Sequence, residues 1–212
     1  MRYRKTTSPV KLAITVVFLA AFGFGWQMGK SLAQRNDVAE HDPALKEARK
    51  VSADLTDKVR GLLMKELEKG GYEGAVDVCA NVAQNITREF NQQTGHQVRR
   101  VSLGYRNLND QPDDYERRLL ENFDRQNRQK KLEGEHYEIV SENGRQYLRY
   151  LKPVVAGKMC LNCHGQLDEI PPRVRAILQR HYPEDKATGY HEGDVRGAIS
   201  VKIDLTAKAE KR

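Results

Sequence analysis

Two cysteines and a histidine stand together in the last third of the sequence, as Cys160-Leu161-Asn162-Cys163-His164. The spacing matches C-x-x-C-H, the attachment motif of c-type haem. Two such cysteines can form thioethers with the two vinyl groups of one porphyrin, and the histidine then bonds the iron through a ring nitrogen. The motif predicts one covalent haem c, held by Cys160 and Cys163, with His164 as an axial ligand.

Three other uses of these residues explain the pattern less well. A disulfide between Cys160 and Cys163 suits an exported protein but leaves His164 without a role. A zinc site that includes Cys79 would need the adjacent Cys163 and His164 to bind one ion, which is strained. A thioredoxin-type redox pair expects a parallel βαβ setting, which the sequence pattern does not show.

The third cysteine, Cys79, is left over once the other two form thioethers. A lone cysteine on the apolar face of a helix is ordinarily a small hydrophobic residue. The alternative is that its thiolate is the second axial iron ligand, and the residues alone leave both interpretations open. Other side chains that could ligate iron are Met64, His96, His136, His181 and His191.

The N-terminus has the pattern of an export segment. Residues 1–30 carry five basic side chains and no acidic one, and they hold most of the net charge of +7. An uncharged apolar run over 12–28 follows. Its length lies between that of a typical signal peptide and that of a membrane anchor, so residues 1–33 are one or the other. Both place the rest of the chain in the periplasm, and a retained anchor would hold it at the inner membrane. The nearly balanced remainder excludes a nucleic-acid-binding protein.

The remaining chain predicts one α+β domain over residues 43–212, after a polar linker over 34–42. Apolar residues at helical spacing predict a helix over 43–69 that ends at Gly70-Gly71, and a second helix over 73–93. Asp113 and Glu116 have the spacing of a capping box, and Asn143-Gly144 predicts a tight hairpin turn. The remaining predicted elements are a strand over 101–105, the hairpin strands 136–140 and 146–151, a helix over 173–180 and a strand over 197–203.

From Cys79 to Ile203 the chain resembles a family of bacterial haem-dependent sensor domains with a PAS-like fold. The stretches that carry the resemblance are Asp77-Val78-Cys79-Ala80, residues 98–103, Arg106-Asn107, Tyr150-Leu151-Lys152-Pro153, the motif at 160–165, Tyr182-Pro183, Asp185, Ala187, Gly189-Tyr190 and residues 193–201. The resemblance implies a single c-type haem with His/Cys ligation, Cys79 as the distal ligand, and an antiparallel sheet with flanking helices around the haem. Three positions depart from the family pattern: Leu108 replaces Pro, Tyr115 replaces Trp, and Gly104 replaces a longer side chain.

Three basic residues stand where the family resemblance places side chains near the haem edge. Arg99, Arg100 and Arg196 are the candidates, with Arg100 and Arg196 preferred as partners of the haem propionates. A guanidinium group suits a carboxylate because its fork of N–H donors matches the two oxygens. The alternative is a solvated strand face with no role in haem binding.

The function predicted from these features is a sensor of redox state or of a small gas such as nitric oxide, carbon monoxide or oxygen. A six-coordinate iron has no free site for a substrate, and no acid/base pair or second cofactor motif is visible, which argues against an enzyme. Release of Cys79 would shift its helix, and the signal would pass to a separate signalling or redox partner, or through the N-terminal segment. The main alternative is an electron-transfer cytochrome c, and a haem enzyme is the third.

Overall fold

The structure is a computed structural model that describes residues 42–206, except for the side chains of residues 42, 77–79 and 81. The predicted anchor or signal peptide and almost all of the predicted linker lie outside this range. Within 42–206, no helix combines the length and the apolar character needed to cross a bilayer. In chain order the elements are α1 (Asp42–Thr94), β1 (Gln97–Val101), a 3-10 turn (Leu108–Asp110), α2 (Asp114–Arg128), β2 (His136–Glu142), β3 (Arg145–Val155), a 3-10 turn (Lys158–Cys160), α3 (Leu161–His164), α4 (Pro172–His181) and β4 (Val195–Asp204).

Helix α1 consists of two helical arms that meet at Gly71. The backbone there has φ 61° and ψ −161°, a region that essentially only glycine adopts. The break falls at the Gly70-Gly71 pair from which the sequence predicted it. Before the break, the predicted apolar stripe is buried as far as Leu55, at Leu45, Ala48, Val51 and Leu55.

The four strands form one antiparallel sheet in the order β1-β4-β3-β2. The turn between β2 and β3 is the predicted Asn143-Gly144 pair, with φ of 53° and 76° at its two residues. Positive φ at both central positions suits the right-handed twist of a hairpin, which explains the Asn-Gly preference. The α+β class and the antiparallel sheet are therefore as predicted.

The position of the first strand was predicted wrongly. The strand runs over Gln97–Val101 and not over 101–105. It ends because the amide of Ser102 donates to the carbonyl of Asp110 at 3.1 Å, while its hydroxyl donates to the carbonyl of Arg196 at 2.7 Å. The bond from the amide takes the backbone of Ser102 out of the ladder, while the bond from the hydroxyl keeps its side chain beside β4.

Among the described residues, two apolar clusters hold α2 and the second arm of α1 in place. Helix α2, whose N-terminus has the predicted capping box between Asp113 and Glu116, packs on the sheet. Its cluster contains Val101, Leu120, Phe123, Leu151, Val195 and Ala198. The second arm of α1 packs against α4 through Val76, Ile170, Val174 and Leu178, with Cys163 partly buried beside them. The second cluster thus fixes the Cys-x-x-Cys-His segment next to α1.

Candidate functional site

The Cys-x-x-Cys-His segment forms one wall of a cavity of about 320 Å³. Cys160 ends a 3-10 turn, and Cys163 and His164 lie in the short helix α3 that follows. Both cysteines are partly buried. The other walls come from both arms of α1, the end of β3 and three arginines, with Val59, Leu63, Leu67, Tyr72, Ala75, Val76, Val154, Val155, Arg100, Arg106 and Arg196 among the lining residues. The cavity is thus mainly apolar, with cationic groups on part of its wall.

The imidazole of His164 is held in one tautomer by a backbone carbonyl. Its Nδ1 lies 2.7 Å from the oxygen of Ala187. A carbonyl oxygen only accepts, so Nδ1 carries the proton and Nε2 keeps its lone pair. Metal-binding histidines are typically arranged in this way, with the second ring N–H donated to a carbonyl or carboxylate.

The Arg196 guanidinium lies beside the same imidazole nitrogen. Its Nε is 3.2 Å from Nδ1 of His164. Both groups are donors once Nδ1 donates to Ala187, so this contact is the close approach of a cation and not a hydrogen bond. The Ala187 oxygen is closer to Nδ1 than Arg196 Nε is, and it can only accept, so Ala187 is the hydrogen-bond partner of Nδ1.

Burial lowers the pKa of His164 well below its ordinary value, and the nearby positive charges of Arg196 and Arg106 lower it further. The hydrogen bond to Ala187 acts in the opposite direction but does not outweigh these effects. The imidazole is therefore neutral at physiological pH, and only the neutral form can bind a metal through Nε2.

The loop over residues 185–190 supports His164 along its backbone as well. Tyr190 N donates to the carbonyl of His164 at 3.0 Å, and Gly189 N donates to the carbonyl of Gly165 at 2.8 Å. The Tyr190 ring meets the imidazole edge-on, with 6.5 Å between centroids. The loop packs closely, because a Cβ on Gly104 would lie 2.5 Å from the hydroxyl of Tyr190. Glycine at position 104, where the family pattern has a longer side chain, thus leaves room for the Tyr190 hydroxyl.

Arg100 and Arg196, the two preferred propionate partners, both line the cavity. Nε of Arg100 is shielded from solvent and has no hydrogen-bond partner among the described residues, and the nearest carboxylate, that of Asp110, is 3.7 Å from Nη2. Arg196 donates to Ser102 Oγ at 2.7 Å and to the carbonyl of Gly104 at 3.1 Å. In the described part of the chain Arg196 has no ion pair with a carboxylate. Both cations therefore have capacity for an anionic group in the cavity.

Arg99 is directed elsewhere. It forms an ion pair with Glu116 at 3.3 Å and donates to the carbonyl of Gln111. It is not among the described residues that line the cavity. The weaker of the three arginine candidates thus has a structural role at the edge of the sheet.

The structure thus gathers Cys160, Cys163, His164, Arg100 and Arg196 around one cavity. Cys79 lies in the second arm of α1, but its side chain is outside the described ones, so its ligand role stays a prediction. The other candidate ligands do not line the cavity among the described residues: Met64, His96, His136, His181 and His191. Within the same residues, no group of three or more His, Cys, Asp or Glu could hold a metal ion.

The sequence interpretation missed three contributors to the site. Ala187 acts through its carbonyl oxygen, which no side-chain motif reveals. Arg106 and Asp185 were noted only within the family resemblance, yet they form an ion pair at 2.9 Å next to the motif. Opposite charges at distant positions in two irregular segments give no periodic signal from which this pair could have been found.

Fold and site together define an α+β protein with an antiparallel sheet, in which a Cys-x-x-Cys-His segment and three arginines line one mainly apolar cavity. The chain belongs to the Tll0287-like family, whose family model matches residues 23–204. Among solved structures it is similar to the crystal structure of the cyanobacterial heme-protein Tll0287, with 28% sequence identity and a TM-score of 0.60. That alignment covers 77% of this chain and 96% of the other. No curated protein matches the sequence.

Proposed function

We propose that the protein is a single-haem c-type cytochrome in which Cys160 and Cys163 hold the haem and His164 ligates the iron. The observation that carries the proposal is the His164–Ala187 contact at 2.7 Å, beside two cysteines that line the same cavity. Similarity to a haem protein of known structure supports haem as the cofactor. The haem, when bound, supplies an iron that changes oxidation state and can take a small axial ligand.

Each group of side chains has a separate task in this proposal. The Ala187 carbonyl orients the imidazole so that Nε2 is the binding nitrogen. Arg100 and Arg196 pair with the propionates, which gives the partnerless Nε of Arg100 an acceptor. The apolar wall from α1 limits the access of water, which strengthens the electrostatic effect of both cations.

The proposed role is that of a sensor of redox state or of a small gas, with Cys79 as the second axial ligand. Both arms of α1 line the cavity, and Cys79 lies in the arm that follows Gly71. Because the backbone breaks at Gly71, the second arm can change its angle without disrupting the first. Release of Cys79 would move that arm, and this two-state element would be the output. The antiparallel sheet with flanking helices supports the proposal that the domain is PAS-like.

An electron-transfer cytochrome c is the second candidate. Val154 and Val155 line the cavity yet remain 36% and 45% exposed, so the cavity opens to the surface on that side. A haem edge near that opening would be accessible to a redox partner. An enzymatic role is not proposed, because His164 and Cys79 together would occupy both axial positions.

The proposal places the domain in the periplasm, with residues 12–28 as an inner-membrane anchor and a separate protein as signalling or redox partner. The basis is the basic N-terminus before an apolar run. Fusion of alkaline phosphatase after Arg212 tests the location, because that enzyme is active only after export. An inactive fusion of normal abundance would contradict the proposal.

The first experiment is haem staining and pyridine haemochrome analysis of the full chain, co-expressed with the haem-c maturation machinery. We expect one haem per chain that survives denaturation, and its loss in a Cys160→Ala, Cys163→Ala double variant. Haem that is extracted by acidic acetone from the wild-type protein would refute covalent attachment.

The ferric EPR spectrum of the same preparation, beside that of Cys79→Ala, then tests the second ligand. A low-spin thiolate signature that disappears in the variant supports His/Cys ligation and the sensor. Identical spectra would make Cys79 a packing residue and would favour the electron-transfer cytochrome.

A further inference from the structure

We propose that Asp185, together with Arg106, is a positioning residue that fixes His164 and thereby sets the redox equilibrium of the iron. The inference rests on the proposed haem site but concerns Asp185, which is neither part of the motif nor among the described residues that line the cavity. Asp185 lies between α4 and β4 and does not contact the imidazole directly. It acts through the backbone of Ala187.

The Arg106 guanidinium joins the motif to the loop that carries Asp185. Its Nη2 donates to the carbonyl of Cys163 at 2.6 Å, and its Nε donates to Oδ2 of Asp185 at 3.0 Å. Both side chains are largely shielded, with 12% and 14% of their surfaces exposed. A planar fork can satisfy both acceptors at once, which a lysine ammonium on a flexible stem does less well.

The second carboxylate oxygen of Asp185 continues the chain of contacts toward the imidazole. Oδ1 accepts the amide of Ala187 at 2.8 Å, and the carbonyl of Ala187 accepts Nδ1–H of His164 at 2.7 Å. Hydrogen bonds thus fix both the amide and the carbonyl of Ala187. Arg106 holds the backbone at Cys163, directly before the ligand, so the imidazole is fixed from its ring and from its main chain.

The Asp185 carboxylate also balances charge near the iron. Arg106 and Arg196 both bring positive charge to His164, and only Arg106 has a carboxylate partner among the described residues. Removal of that carboxylate leaves a second uncompensated cation, which favours the ferrous iron. One full charge at a distance of about 10 Å in a protein interior changes a one-electron equilibrium by about tenfold, or about 59 mV.

The test compares Asp185→Asn, Arg106→Lys and the control Asp168→Asn in the full chain matured with haem. Asp168 is exposed, and its substitution changes the net charge by the same amount. The measurements are haem content, reduction midpoint potential and the ferric EPR spectrum.

In Asp185→Asn we expect full haem content and a higher reduction potential, equal to a shift of about tenfold in the redox equilibrium toward ferrous iron. We also expect more than one low-spin EPR species, because His164 is less constrained. Arg106→Lys keeps the charge, so we expect the same EPR heterogeneity with a smaller change in potential. The control should match the wild type in every measurement.

A wild-type potential and one EPR species in Asp185→Asn would overturn the inference while leaving the haem proposal intact. If Asp185→Asn fails to accumulate, Arg106→Lys decides: a single unchanged EPR species there refutes the positioning role. Absence of haem from the wild-type protein would instead refute the proposed function, so the two failures are distinguishable.

Discussion

Replacement of Arg196 by Gln removes the positive charge closest to the predicted iron ligand. Gln retains an N–H donor for Ser102 Oγ or the carbonyl of Gly104, which the guanidinium contacts at 2.7 and 3.1 Å. The main change is therefore electrostatic. Loss of a cation next to His164 stabilises the more positive, ferric iron, so the reduction potential should fall.

The size of the effect follows from the position of the guanidinium. Its Nε lies 3.2 Å from Nδ1 of His164, on the far side of the ring from Nε2. A unit charge about 7 Å from an iron on Nε2, at an effective dielectric constant of about 20, contributes about 2 kcal/mol. This equals about 90 mV for one electron, and it is an upper estimate because a paired propionate cancels part of the charge.

The assay is a spectroelectrochemical titration of the haem-loaded full chain. Arg173→Gln is the control, because Arg173 is exposed and its substitution makes the same change in net charge. We expect a decrease of tens of millivolts for Arg196→Gln, up to about 90 mV, and a negligible change for the control. Equal potentials in the two variants would refute the argument that Arg196 acts on the iron. If Arg196→Gln also had the haem content of the wild type, Arg196 would have no role in retaining the haem.

Two further substitutions test the frame of the site. Gly71→Ala should lower the free energy of unfolding by about 1–3 kcal/mol, because alanine is strained at φ 61° and ψ −161°. Gly61→Ala, within a regular turn of the same helix, should instead raise it by about 0.5–1 kcal/mol. Urea denaturation measures both values, and equal effects would contradict the strain argument. Glu135→Gln tests a carboxylate whose pKa is lowered, first by its hydrogen bond from Arg49 and also by one from Tyr150. A lowered pKa gives stability that is present above the unfolded pKa and is lost as the pH falls through the folded pKa. Urea denaturation should therefore show the variant about 0.5–1 kcal/mol less stable at pH 7. The difference should vanish as the pH falls through the lowered pKa of Glu135, and a pH-independent difference would refute the assignment.

Local signals in the sequence predicted the local features of the fold. The capping box at Asp113 and Glu116 and the Asn143-Gly144 turn involve residues within a few positions of one another, so their contacts follow from the chain itself. The end of β1 could not be predicted in this way. It depends on Ser102 and its contact with the carbonyl of Arg196, a residue far away in the sequence.

The same distinction applies to the site. The motif at 160–164 is contiguous, and it was found from its spacing alone. Arg99 and Arg100 were both candidates in the sequence, with Arg100 preferred, but side chains alternate along a strand, so only one could face the cavity. Arg100 does so, while Arg99 pairs with Glu116. Which of the two faces the cavity depends on how the sheet packs against α1, and that is a tertiary property.

The charges around the cavity argue for the kind of group that fills it. His164 is neutral, while Arg100 and Arg196 bring positive charge to a mainly apolar wall that also contains the ion-paired Arg106 and the acidic Asp110. An uncharged apolar ligand would remove water from both guanidinium groups and would leave Nε of Arg100 without an acceptor, which is costly. A flat apolar group that carries two carboxylates at one edge satisfies both requirements, because it fills the apolar space and neutralises both cations. Haem has this construction, and in the proposed function its vinyl groups form thioethers with Cys160 and Cys163.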